Sequence, residues 1–147
     1  MQEQLKLDNQ LCFRLYTASR LITQAYRPLL SGIGLTYPQY LVMMVLWEKD
    51  GQPVNDIAKK LYLETNTVTP LLKRMEAEGF LSRCKGKADG RQVIVSLTPK
   101  GRALEGKAGC IPFQVGNAVA CRSITPESAP ALYNTLDDLI HTLSGGR

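Results

Sequence analysis

Apolar residues recur at three- and four-residue steps through Leu11, Leu15, Ala18, Ile22, Ala25 and Leu29, the spacing of one face of a long helix. Asp8 is placed to cap its start, and Ser31-Gly32 marks its end. After Gly32-Ile33-Gly34, the run Thr36-Tyr37-Pro38-Gln39 has the Ser/Thr-x-x-Gln spacing of a capping box with proline in the first turn, predicting a second helix to about Glu48. Val54, Ile57, Ala58 and Leu61 share the face of a short third helix behind the turn Asp50-Gly51-Gln52-Pro53. A fourth helix follows Tyr62-Leu63-Glu64, with Val68, Leu71, Leu72 and Met75 inward and its end near Gly79. Its start is open between Thr65, with Pro70 inside the helix, and a Thr69 cap with Pro70 as the first residue.

Two strand-like runs come next, Phe80 to Cys84 and Gln92 to Leu97, joined by a hairpin tip from Lys85 to Arg91 that contains Asp89-Gly90. Thr98-Pro99 and Thr125-Pro126-Glu127 each place a hydroxyl before a first-turn proline, predicting two C-terminal helices. Pro112 interrupts the first, and the second carries Leu132, Leu136, Leu139, Ile140 and Leu143 as an apolar stripe. The expected fold is mainly α with a small β-hairpin, a winged helix-turn-helix that dimerises through its N- and C-terminal helices. Residues 1–34 are expected as the N-terminal dimerisation helix, 35–98 as the winged helix-turn-helix lobe and 99–147 as the C-terminal dimerisation helices, since apolar stripes on helices at the two ends of a chain can be buried against a twin.

A chain of 147 residues, with 44% hydrophobic and 21% charged residues, is sized for one hydrophobic core. The longest apolar run, Tyr40 to Trp47, is too short to span a bilayer, and residues 1–10 hold no apolar export segment, so the expected location is the cytoplasm, without membrane partners. The net charge of +5 is localised: between Lys73 and Arg102 eight basic side chains face three acidic ones, which accounts for the whole excess. A basic segment that coincides with a helix-turn-helix and a hairpin points to double-stranded DNA. In that reading Thr65, Asn66, Thr67 and Thr69 enter the major groove, Lys73 and Arg74 hold the backbone, and the wing adds Lys85, Lys87 and Arg91. Four cysteines, at 12, 84, 110 and 121, have neither zinc-knuckle nor redox-pair spacing. His141 is the sole histidine, and no metal or nucleophile constellation accompanies it, so neither an enzyme nor a metal or cofactor is expected.

The element order, with Asp89-Gly90-Arg91 on the hairpin, resembles the MarR family of dimeric winged-helix regulators, in which an Asp-x-Arg on the wing is characteristic. Leu7 to Phe13 (LDNQLCF), Leu35 to Leu41 (LTYPQYL), Leu61-Tyr62-Leu63 and Thr67 to Met75 (TVTPLLKRM) look like the OhrR-type organic-hydroperoxide-sensing repressors of that family. The resemblance runs from about Leu5 to Pro112 and implies a homodimer on a pseudo-palindromic operator. It also implies that Cys12 is the redox sensor and that an organic hydroperoxide is the effector. On its own, Cys12, about one turn into the first helix, reads as a small packing residue. The resemblance further assigns Tyr26 and Tyr37, with Tyr16 nearby, as phenols that support the thiolate form needed for attack on a peroxide. For the second thiol it points to Cys121, with Cys110 as runner-up, or to a one-cysteine mechanism that uses a low-molecular-weight thiol. The alternative function is a MarR-type repressor released by a small phenolic ligand, with Cys12 not used as sensor.

Overall fold

The structure is a computed structural model and describes residues 1–146. Among the described residues seven α-helices and a three-stranded sheet follow in the order α1 (Leu11–Ser31), α2 (Tyr37–Glu48), β1 (Gln52–Pro53), α3 (Val54–Lys60), α4 (Thr65–Ala77), β2 (Leu81–Lys85), β3 (Val93–Leu97), α5 (Pro99–Ala108), α6 (Ile111–Val119) and α7 (Ala129–Leu143). The capping box forms as expected: Gln39 N–H donates to Thr36 Oγ1 at 3.4 Å, and Thr36 N–H to Gln39 Oε1 at 2.9 Å. It starts α2, the most buried helix, whose Tyr40, Val42, Met43, Val45 and Leu46 face the core. Ile57 and Ala58 of α3 and Val68, Leu72 and Met75 of α4 close over it. The same core continues into Leu30 of α1 and into Leu104, Ala108, Ile111 and Val115 of α5 and α6.

The sheet is larger than the hairpin expected. Gln52 and Pro53, read above as turn, pair antiparallel with Val95 and Ile94, so the strand order is β1-β3-β2. Two residues carry no alternation to read, and their partners lie some forty positions away; Pro53, without an N–H, is tolerated because β1 is an edge. β2 and β3 pair in the register Leu81↔Leu97, Arg83↔Val95 and Lys85↔Val93. Gly101 lets α5 lie against the start of β2, since a Cβ there would stand 2.0 Å from the Phe80 carbonyl oxygen. Trp47 Nε1 donates to the Gly101 carbonyl at 3.1 Å and fixes the same contact from α2.

Helix ends differ from expectation in three places. Asp8 does not cap α1: the amides of Asn9 and Gln10 donate back to the carbonyls of Glu3 and Gln4, Leu7–Asn9 closes as a separate 3-10 turn, and extended Gln10 precedes Leu11. Three helices, not two, follow the wing. The chain breaks at Gly109-Cys110, and Pro112 belongs to the first turn of α6, where a missing N–H costs no ladder bond. The Thr125 hydroxyl accepts the Ser128 N–H at 3.3 Å and caps one isolated turn, so α7 begins at Ala129 with Pro130 in its first turn.

Two faces remain uncovered in the single chain. α7 buries no residue and α1 only Leu30, while Leu11, Phe113 and Leu143 are 64%, 74% and 77% exposed. Among the described residues no helix is long and apolar enough to cross a membrane.

Candidate nucleic-acid interface and cysteine site

α3 and α4 are joined by a tight turn in which Tyr62 adopts φ 55°, the left-handed conformation that lets the chain reverse between the two helices. α4 begins at Thr65, so Pro70 lies inside it, the first of the two starts read from the sequence. Val68 faces the core, and Thr65, Asn66 and Thr67 before it are exposed. Thr65 Oγ1 donates to Asn55 Oδ1 at 3.2 Å, and the half-buried Thr69 donates its hydroxyl to the Thr65 carbonyl at 2.8 Å. Lys73 and Arg74 lie exposed further along the helix.

The wing is closed by Gly86 N–H to the Gln92 carbonyl at 2.8 Å and by Gln92 N–H to the Asp89 carbonyl at 3.1 Å. At its tip Asp89 Oδ1 accepts the Arg91 N–H at 3.0 Å and stands 3.6 Å from Arg91 Nε, which leaves the guanidinium projecting outward with 96% of the side chain exposed. Lys85 and Lys87 are exposed beside it. Between α4 and the wing lies an open cleft of about 460 Å³ lined by Asn55, Thr65, Thr69, Arg83, Asp89, Arg91 and Gln92 among others. Four of the residues expected to contact DNA, Thr65, Thr69, Asp89 and Arg91, line this cleft together with Asn55 and Gln92, which the sequence did not single out, while Asn66, Thr67, Lys73, Arg74, Lys85 and Lys87 are exposed outside its lining. The polar side of the short third helix was the available signal for Asn55.

Not every basic residue of the segment is free of a partner within the chain. Arg83 pairs with Glu76 at 3.0 Å and Arg102 with Asp50 at 2.7 Å, while Lys100 Nζ donates to the Glu78 carbonyl at 2.7 Å and lies 4.5 Å over the Phe80 ring. Among the described residues Lys73, Arg74, Lys85 and Lys87 have no such ion pair.

Cys12 is the second residue of α1, nearer the helix start than the sequence suggested, and is exposed. Tyr16, one turn on, is exposed as well. Tyr26 and Tyr37 do come together, with ring centroids 5.0 Å apart and tilted by 55°; Tyr40 joins them at 5.9 and 6.4 Å, and Trp47 packs edge-on to Tyr40 at 6.2 Å. Burial, then the neighbouring phenols Tyr37 and Tyr133, pushes the Tyr26 hydroxyl above its ordinary pKa of 10.0; burial, then Tyr26 and Tyr37, does the same to Tyr40. Both therefore stay protonated donors at neutral pH. Within the single chain Tyr26 is remote from the sulfur: it lies fourteen residues after Cys12 on the same helix, ~21 Å along its axis at 1.5 Å per residue. Cys110 precedes α6 and Cys121 follows it, both exposed, and Cys84 is exposed on β2.

A family model for the transcriptional regulators SarA/Rot matches residues 24–106. The chain is 41% identical over 141 residues to the organic hydroperoxide resistance transcriptional regulator of Bacillus subtilis, covering 96% of this chain and 94% of that one. It is 45% identical over 142 residues to the HTH-type transcriptional regulator TtmR of Methylorubrum extorquens, covering 95% of this chain and 71% of that one. Among solved structures it resembles reduced AbfR bound to DNA, with TM-score 0.77 and 36% identity over 97% of both chains. It also resembles disulfide-formed AbfR, with TM-score 0.64 and 35% identity over 96% of this chain and 94% of that one. With its winged lobe and localised basic face, the chain belongs to the MarR and SarA/Rot family of DNA-binding winged-helix transcriptional regulators.

Proposed function

We propose that this regulator is a cytoplasmic homodimeric repressor that grips a pseudo-palindromic operator while Cys12 is reduced and lets go when an organic hydroperoxide oxidises that sulfur. The observation that carries the reading is the placement of Cys12 at one end of α1 and Tyr26, with the tyrosines of α2 packed on it, towards the other, on a helix whose apolar face is only partly covered in the single chain. An antiparallel twin packed along that face buries it and brings the Cys12 of one protomer to the Tyr26 and Tyr37 of the other. The first turn of α1 favours negative charge through its free N–H groups, and protonated phenols supply donors to an anionic sulfur.

The chemistry is a two-electron oxidation. The Cys12 thiolate attacks one peroxide oxygen, the O–O bond breaks, and after proton uptake an alcohol leaves, giving a sulfenic acid. A second thiol then attacks the oxidised sulfur and a disulfide forms with loss of water. Cys121 is the assigned second thiol, Cys110 the next, and a small soluble thiol the remaining source; the relative with a disulfide-formed state supports a disulfide route. The altered helix contacts then favour a spacing of the two α4 helices that no longer fits adjacent grooves.

The decisive experiment is a gel shift of promoter DNA with and without an alkyl hydroperoxide. Wild-type protein releases DNA and recovers it on reduction, and Cys12→Ser stays bound. A cavity of about 330 Å³ between the end of α1 and the start of α2, lined by Arg27, Thr36 and Tyr37, favours a second reading in which a small phenolic anion is the effector. Peroxide-driven release that persists in Cys12→Ser excludes the thiol as sensor.

A further inference from the structure

One side chain ties the recognition helix to the wing. Glu76, in the last turn of α4, accepts the main-chain N–H of Arg83 on Oε1 at 2.8 Å and the Arg83 guanidinium on Oε2, from Nε at 3.1 Å and Nη2 at 3.0 Å. Arg83 lies in the middle of β2, opposite Val95, and its side chain lines the cleft between α4 and the wing. β2 is an edge of the sheet, so the N–H that Glu76 takes is one the ladder leaves free. The side chains are only partly exposed, 22% for Arg83 and 35% for Glu76, unlike the open pair of Lys60 with Glu48. A carboxylate that holds both a backbone N–H and a planar guanidinium fixes orientation as well as distance.

We propose that Glu76 is the positioning residue for DNA recognition: by clamping Arg83 it sets the angle between α4 and the wing, so that Thr65 to Thr69 and the Lys87–Arg91 tip meet one duplex together. The physical gain is pre-organisation. Two contact elements joined rigidly engage as a unit, whereas a wing free to swing must be ordered each time the protein binds. The inference rests on α4 and the wing being the duplex-facing surface, an assignment that Arg91→Ala tests by itself.

The test is a double-mutant cycle on the full-length protein, read as affinity for a labelled duplex selected from a random-sequence pool on the wild type. Glu76→Ala should weaken binding about tenfold, the effect of one charge-assisted contact. In a Lys87→Ala/Arg91→Ala background the same substitution should change affinity by less than about twofold, because both cations of the tip it aims are already gone. Glu76→Gln keeps an acceptor for the Arg83 N–H and should fall between; it carries the cycle if Glu76→Ala does not fold. Equal losses in both backgrounds, alongside a lowered thermal midpoint, make Glu76 a fold-supporting residue only and overturn the proposal, as does no loss at all. If Arg91→Ala alone leaves affinity unchanged, the duplex-facing assignment fails first and the proposal falls with it.

Discussion

Asp50 accepts the main-chain N–H of Leu97 at 2.8 Å on Oδ1, while its other oxygen stands 2.7 Å from the Arg102 guanidinium. One carboxylate thereby joins the turn after α2 to the end of the central strand and to α5, and Oδ1 also takes the Gly51 N–H. Removing the acceptors strands a partly buried N–H, so Asp50→Ala should destabilise the protein by roughly 1–3 kcal/mol, with Asp50→Asn in between. Urea unfolding with an unchanged slope and a lowered midpoint is the expected record; an unmoved midpoint shows that solvent replaces all three contacts.

Glu76 gives the stability a pH signature. The Arg83 main-chain N–H first, then its guanidinium, hold the Glu76 carboxyl below the ordinary value of 4.5. Its contribution is therefore complete above pH 4.5, where the unfolded chain is ionised too, and is lost as pH falls through the depressed folded value. The difference in urea midpoint between wild type and Glu76→Gln should be flat from neutral pH down to about 5 and shrink below 4.5. A difference that instead grows on acidification contradicts the assigned direction.

Local signals were legible and remote ones were not. Thr36 and Gln39 are three residues apart, so their capping box could be read directly, and Val68, Leu72 and Met75 showed their inward face by spacing alone. β1 depends on Val95 and Ile94, far along the chain, and two residues hold no period. Asp8 failed as a cap because it lies inside a 3-10 turn, where the backbone N–H groups of Asn9 and Gln10 donate to the Lys6 and Leu7 carbonyls, a local choice composition does not rank. The positive segment was correctly located, but Arg83 and Arg102 prove to be held by Glu76 and Asp50; a charge count cannot separate a strut from a contact. At the cysteine site the residue types were named from resemblance, and the structure adds the distance along α1 that makes a single-chain network impossible.

The exposed wing cations should behave as phosphate contacts. Arg91→Ala and Lys87→Ala each should weaken binding to unrelated duplexes by a similar factor and lower the slope of log affinity against log salt by about one. Fluorescence anisotropy from low to moderate salt measures both. Loss confined to one operator sequence, with the slope intact, makes the residue a base reader instead.

Mixed dimers separate a sensor shared across the interface from one contained in a protomer. If each Cys12 is served by the partner's phenols, pairing a Cys12→Ser protomer with a Tyr26→Phe protomer leaves the surviving thiol facing an intact Tyr26. Pairing wild type with a Cys12→Ser/Tyr26→Phe double variant leaves it facing phenylalanine. Both mixtures hold one Cys12 thiol and one Tyr26 phenol, with the other cysteines and tyrosines unchanged, so composition cannot explain a difference. The first should react with an alkyl hydroperoxide at the rate per thiol of the wild type, and the second about tenfold slower if a phenol donor to the anion contributes as charge-assisted hydrogen bonds do. Stopped-flow thiol consumption on differentially tagged dimers reads the rates. The opposite order places the phenol in the thiol's own chain, against the ~21 Å that separates them along α1. Equal rates remove Tyr26 from the sensing site altogether.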